Sequence, residues 1–208
     1  NARFFIFRRK RHLSCADLRS LALRSDAKMQ RGTSSLQHAE LVGGRWLLGD
    51  ALHVREGAVK NILRTIENYK PGIIAVNAVN RDLNKESGLY TDCNAVLDDL
   101  GWHTTLTGAT IYSRSALSTI NKVEPHNFKN FPQLSLIFNF LANDCSFFWD
   151  NNKWITASPN KKGYWVDTMF SIFVDDWSNA IRNLPKSYKH EIKEKVIIEH
   201  SLKSNIFC

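Results

Sequence analysis

Two periods organise the apolar positions. From Gly57 to Tyr69 the residues Val59, Ile62, Leu63 and Ile66 recur at i, i+3, i+4 and i+7, which predicts an amphipathic helix. Lys70-Pro71-Gly72 ends it, and Ile73 to Val79 follows as a continuous apolar, β-rich run, the pattern of a buried strand. Upstream, Trp46 to Leu48 is a second apolar run, closed by Gly49-Asp50. Strand, helix and strand within about 35 residues predict a right-handed crossover with parallel strands, so Ile73–Val79 is expected to lie beside Trp46–Leu48. In open α/β sheets ligands sit outside the carboxyl ends of such strands, which is where Asp50 is expected. A carboxylate there can hold a divalent metal and, through it, a diphosphate.

The rest of the chain continues the alternation. Phe4 to Phe7 reads as a short strand running into Arg8-Arg9-Lys10-Arg11-His12, either a solvated basic strand end or a contact for phosphate or lipid headgroups. Ser14 to Ala27 reads as a helix with Ser14 as N-cap, and residues 28–43 as loop with some helix. Ala95 to Leu100 fits a short helix with Asp98 and Asp99 facing water. Thr104 to Leu117 reads as a small-residue strand, then Arg114 and a short helix. Phe131 to Asn143 is a helix with Pro132 in its first turn and Leu134, Ile137, Phe138 and Leu141 on one face. Ser146 to Ala157 looks like a hairpin turning at Asp150-Asn151-Asn152. Its aromatic residues Phe147, Phe148, Trp149 and Trp154 are either core or a platform for stacking sugars.

Val166 to Leu184 places Phe170, Phe173, Val174, Trp177, Ile181 and Leu184 at helical spacing, and Pro185 ends it. Tyr188 to Lys203 is a last, lysine-rich amphipathic helix, which either packs on the domain with its lysines solvated or lies on an anionic membrane. No repeat or low-complexity linker divides the chain. The expectation is an α/β domain over 1–160 with a helical extension over 161–208 packed on it.

Composition narrows this further. The 208 residues are 43% hydrophobic, enough for a substantial core, with no apolar run long enough to span a bilayer. Cys15, Cys93, Cys145 and Cys208 form no CxxC pair, which argues against a zinc site or a disulfide framework and for a reduced, cytoplasmic protein. The net charge of +8 implies attraction to polyanions without choosing among them. Nucleic acid is disfavoured by the lack of a zinc-finger, RNP or helix-turn-helix signature.

The stretch Leu48-Gly49-Asp50 with Gly57-Ala58-Val59 resembles a segment of family-2 glycosyltransferases of the GT-A fold, in which Leu-Gly-Asp-Asp-Asp is followed by Pro-Gly-Ala-Leu. Ala51 and Leu52 stand where that family has its second and third aspartates. Thr104 to Leu117 resembles the strand, arginine and short helix that lie below the active site in these enzymes. The resemblance implies a Rossmann-like mixed sheet flanked by helices. Because the chain starts at Asn1 without the family's opening Thr-Tyr-Asn-like strand, it is expected to lack the first nucleotide-binding unit.

By the same resemblance, Asp50, Arg55, Gly108 and Thr110 would bind a nucleoside-diphosphate sugar. Asp50 and His53 would hold Mn²⁺ or Mg²⁺, imidazole favouring manganese. The family's general base comes from an acidic motif at the start of a helix like Phe131–Asn143. Here Asn130-Phe131-Pro132-Gln133 has no acid, leaving Gln133 as a hydrogen-bonding group and His126 as the nearest base of suitable pKa. The implied activity is transfer of a sugar to a glycan or lipid-linked acceptor in surface polysaccharide or lipopolysaccharide synthesis, at the inner face of a membrane. A degenerate GT-A binding module and a basic nucleic-acid-binding protein are the alternatives.

Overall fold

The structure, a computed structural model, describes residues 5–6, 47–48, 52–79, 81–119, 128–157, 168 and 170–203. The basic run Arg8–His12, the helix expected over Ser14–Ala27, the segment 28–43 and the boundary expected at 160/161 lie outside these residues. The fold is α/β, a mixed sheet with helices on both faces, as expected. Its strands are β1 (Phe5–Ile6), β2 (Leu47–Leu48), β3 (Leu52–Val54), β4 (Ile73–Ala78), β5 (Gly88–Tyr90), β6 (Thr110–Tyr112) and β7 (Phe147–Ala157). They run in the order β1-β2-β6-β4-β7-β3, with β5 also paired to β7.

Strand β4 sits inside the sheet between β6 and β7, and all six of its residues are buried. Its alternation divides the core. Ile73 and Ala75 face one hydrophobic cluster with Tyr112, Phe147 and Trp149. Ile74, Val76 and Ala78 face another with Ile111, Phe148 and Ile155. Each large side chain removed from water in this way contributes roughly 1.5–3 kcal/mol.

The second cluster is covered by α1 (Ala58–Tyr69), whose Ile62, Leu63 and Ile66 pack onto it. The helical periodicity of the sequence is thus realised, one residue inside its expected start. Gly57 caps α1 with φ +83°, a left-handed conformation that any side chain would strain. The other face carries α2 (Cys93–Leu100), α3 (Arg114–Ser118), α4 (Pro132–Leu141), α5 (Trp177–Arg182) and α6 (His190–Lys203). Asp92 starts α2 by accepting the Asn94 amide at 2.9 Å, a side-chain N-cap.

Several expectations are corrected. β2 and β4 are not neighbours, because β6 lies between them, antiparallel to both. They still point the same way, since two antiparallel pairings restore direction. Ser146–Ala157 is no hairpin: β7 runs straight on as one strand parallel to β4, with register shifts near Asp150–Lys153. The polar Asp-Asn-Asn triplet bulges the strand rather than reversing it. Phe147, Phe148 and Trp149 are core, none more than 6% exposed. Leu52–Val54 forms a further strand, pairing antiparallel with Ile155–Ala157.

Two helical faces also differ. Ser171–Asp176 is π-helical, so residues five apart share a face. Ile172 and Trp177 are accordingly buried, while Phe170 and Val174 are exposed at 68% and 45%. In α6, Lys193 is not solvated. Its ammonium is buried and donates to the carbonyls of Leu184 at 2.6 Å and Arg182 at 3.3 Å, supplying donors to the carboxyl end of α5. Among the described residues no helix is long and apolar enough to cross a membrane.

Candidate functional site

Because β2 and β4 run parallel through β6, their carboxyl ends and the start of β6 share one end of the sheet. Leu48 is level with Ile111, which is level with Ile74. Beyond that row, two polar clusters stand on opposite faces.

On the α1 face, the bulge of β7 turns the Asp150 carboxylate inward, where the residue is 2% exposed. Asn61 Nδ2 of α1 and the Trp154 indole N–H both donate to its Oδ2 at 2.7 Å. The Asn152 amide and side chain donate to Oδ1 at 3.0 and 2.6 Å. A buried carboxylate is tolerated only when its lone pairs are filled in this way. Sequence reasoning passed over Asp150 because Asp-Asn-Asn is also a turn signal. Across the sheet, in step with Ile73 and Ala75 along β4, buried Asn77 donates to Asp82 Oδ1 and Asn151 Oδ1, each at 2.9 Å, and accepts the Ala78 amide. Lys153 pairs with Asp82 and holds its carboxyl below the usual range.

On the opposite face, the segment between α2 and β6 forms two 3₁₀ turns, His103–Thr105 and Thr107–Ala109. His103 is buried edge-on against Trp149, ring centroids 4.7 Å apart, with Nε2 3.0 Å from the Val76 carbonyl. A carbonyl only accepts, so Nε2 carries the proton and Nδ1 is the free acceptor. Nδ1 is buried and has no partner among the described residues. Burial pushes the imidazole down to about 4, which keeps it neutral at pH 7.

Arg81, just past β4, stacks 4.2 Å over the Trp102 ring and donates from Nη1 to the Trp102 carbonyl at 3.1 Å and to Thr105 Oγ1 at 2.5 Å. Burial lowers even this guanidinium to about 10. Arg81, Trp102 and His103 line a cavity of about 250 Å³ closed by Asp98 and Asp99 of α2 and by Val196 and Glu199 of α6. The expectation that Asp98 and Asp99 face water is corrected here. Both are half-buried, Asp98 paired with Lys195 at 2.7 Å and Asp99 with Lys85, and the Tyr90 hydroxyl donates to Asp99 at 3.1 Å. Neither Arg81 nor His103 stood out in the sequence, since each is a single polar residue in a segment with no period.

The residues singled out from the sequence are distributed around this end. Thr110 opens β6 fully buried, and its Oγ1 has no partner among the described residues. Gly108 lies buried in the 3₁₀ turn just before it, without the positive φ that would demand glycine. Gln133, also buried, donates from Nε2 to the Thr105 carbonyl at 3.0 Å and so ties α4 to the first 3₁₀ turn. Arg55 is exposed at the far edge and donates to the Lys153 carbonyl at 3.3 Å. His53 lies in β3 opposite Thr156, and its side chain is outside the described set. Asp50 and His126 also lie outside the described residues. Among the described residues no three His, Cys, Asp or Glu side chains converge as metal ligands.

No family model matches the chain, and no curated protein does. Solved structures do. S. aureus TarS, residues 1–349, is similar at a TM-score of 0.46 and 10% identity, over 79% of this chain and 47% of that one. Its complex with UDP-GlcNAc gives 0.47 and 10% over 79% and 49%. Its complex with UDP gives 0.43 and 14% over 74% and 45%. The chain spans about half the length of these structures.

Proposed function

We propose that the chain is part of a glycosyltransferase that takes a sugar from a nucleoside-diphosphate donor and passes it to a glycan or lipid-linked acceptor of a surface polysaccharide. The observation that carries this reading is the chain order at one sheet end. β2 ends at Leu48, α1 returns the chain to β4, and β6 with its preceding 3₁₀ turns enters between them. Those strands end at the position where open α/β sheets bind their ligands. The motif resemblance supplies the donor class, and Asp50 is the carboxylate proposed to meet the donor's ribose or diphosphate. Arg55, Gly108 in the second 3₁₀ turn and Thr110 at the start of β6 are the other donor contacts proposed.

In such a reaction the anomeric carbon is attacked by an acceptor hydroxyl while the bond to the diphosphate breaks. Positive groups that stabilise the departing diphosphate supply most of the acceleration. A metal held by Asp50 and His53 would add charge of that kind, but one carboxylate and one imidazole make a thin ligand set. His126 is the proposed proton acceptor for the acceptor hydroxyl, and Gln133 a proposed hydrogen-bonding group.

A second reading is favoured by Ala51 and Leu52, apolar residues where the resembled family has aspartates: a GT-A-like module that binds without catalysing. Calorimetric titration with UDP, UDP-GlcNAc and a GDP-sugar, with and without Mn²⁺, separates these possibilities from neither. Binding that Asp50→Ala abolishes supports a donor site. If no nucleotide binds and Asp50→Ala changes nothing, the donor site does not exist.

A further inference from the structure

Two thiols with no part in the ligand end of the sheet stand together at its other end. β5 pairs with β7 so that Tyr90 is level with Phe147. Cys145, just ahead of Phe147, donates its S–H to the Tyr90 carbonyl at 3.9 Å. Cys93, just beyond Tyr90, opens α2. The Asn94 side chain ties that helix start to the segment before α6 by accepting the Lys189 amide at 2.9 Å. Cys93 and Cys145 are each half-buried, unbridged and packed on the same core cluster.

Tyr188 faces both of them. Its hydroxyl donates to the Phe138 carbonyl at 2.9 Å. Burial first, and then the Cys93 and Cys145 thiols, raise its pKa, and Cys93 also hydrogen-bonds it. The Cys145 thiol is in turn pushed up to about 12, by burial and next by Cys93. Strand register and these mutual influences agree in setting the two sulfurs side by side. A thiol kept protonated is a poor nucleophile towards a disulfide, so Cys93 is the sulfur that attacks first and Cys145 the one that resolves.

We propose that Cys93 and Cys145 form a reversible disulfide by exchange with a low-molecular-weight disulfide such as oxidised glutathione. The Cys93 thiolate attacks one sulfur of the oxidant and expels one thiol, leaving a mixed disulfide. The Cys145 sulfur then attacks the Cys93 sulfur and expels the second thiol. The two thiol protons leave with the two expelled thiols, and two electrons pass from the protein to the oxidant. The new bond fastens the start of α2 to the entrance of β7. It closes a loop of about fifty residues, which stabilises the fold by restricting the unfolded chain. Phe147 is level with Ile73, where β4 begins, so the pair lies away from the carboxyl ends of β2 and β4, and the exchange is independent of any nucleotide-sugar chemistry there.

The test treats the full chain with excess oxidised glutathione, then alkylates, digests and maps it by mass spectrometry. The peptides carrying Cys93 and Cys145 are expected joined, with a loss of two hydrogens that dithiothreitol reverses, and Cys145→Ser is expected to hold glutathione on Cys93. The oxidised protein is expected to unfold at a urea midpoint higher by roughly 1–2 M, a rise absent from Cys145→Ser treated alike. Both thiols still open to alkylation after treatment, a glutathione adduct that persists on Cys93 in the parent, or joining only to Cys15 or Cys208 overturns the proposal. A Cys93–Cys145 bond that leaves the midpoint where it was overturns it as well.

Discussion

Asp150→Ala is the sharpest perturbation of the fold's working end. The substitution removes both oxygens that receive Asn61, Trp154 and the two Asn152 donors, at a residue 2% exposed. A hydrogen bond to a charged group contributes about 1.5–3 kcal/mol, and a donor left unpaired in the interior costs about 1–3 kcal/mol. Asn152 is exposed and can turn to water, so the four bonds do not add in full. The net expectation is a loss of about 3–5 kcal/mol, in the range for breaking a buried charged network. With a urea m-value of about 2–3 kcal/mol/M, the denaturation midpoint falls by roughly 1–2.5 M. Asp150→Asn keeps one acceptor and loses less. A double-mutant cycle with Asn61→Ala yields a coupling of about 1 kcal/mol or more, because the two side chains touch. A loss under about 1 kcal/mol for Asp150→Ala, or additive effects with Asn61→Ala, would refute the idea that this carboxylate joins β7 to α1.

Other expectations follow from packing and titration. Gly72→Ala puts a methyl group into the Phe140 ring, so it destabilises by about 1–3 kcal/mol as overpacking does, read as a lower urea midpoint; an unchanged midpoint would contradict the packing described. His103 is held neutral, with a folded pKa of about 4 against an ordinary 6.5. The unfolded chain therefore binds the extra proton, and this stability is present above pH 6.5 and lost as pH falls towards 4. Full protonation costs on the order of 3 kcal/mol, seen as a urea midpoint that drops between pH 7 and pH 4 by less in His103→Gln than in the parent.

Much of this architecture was legible because it is periodic. Val59, Ile62, Leu63 and Ile66 announced α1, and the unbroken run Ile73–Val79 announced a strand buried on both faces. Neighbour relations were not legible. The crossover rule joined β2 to β4 directly, but nothing in a linear pattern says that a later strand, β6, inserts between them. Asp150-Asn151-Asn152 carries a turn's composition, and only the parallel pairing of both halves of β7 with β4 shows that the strand continues through it. The π-helical turn moved Ile172 inward and Phe170 outward because a five-residue repeat escapes a search for 3.6. At the candidate site the motif around Asp50 was visible as sequence, whereas Arg81 and His103 meet only because the 3₁₀ turn at His103 folds back under the end of β4.

On the proposed reading, the sheet end beyond Leu48 of β2 handles a nucleoside-diphosphate sugar. Release of nucleoside diphosphate, followed by coupled enzymatic detection while UDP- and GDP-sugars are offered with Mn²⁺ and a glycan acceptor, tests it most directly. Release is expected with at least one donor, stimulated by acceptor and abolished by Asp50→Ala. Release from no donor, or release that Asp50→Ala leaves intact, would contradict it.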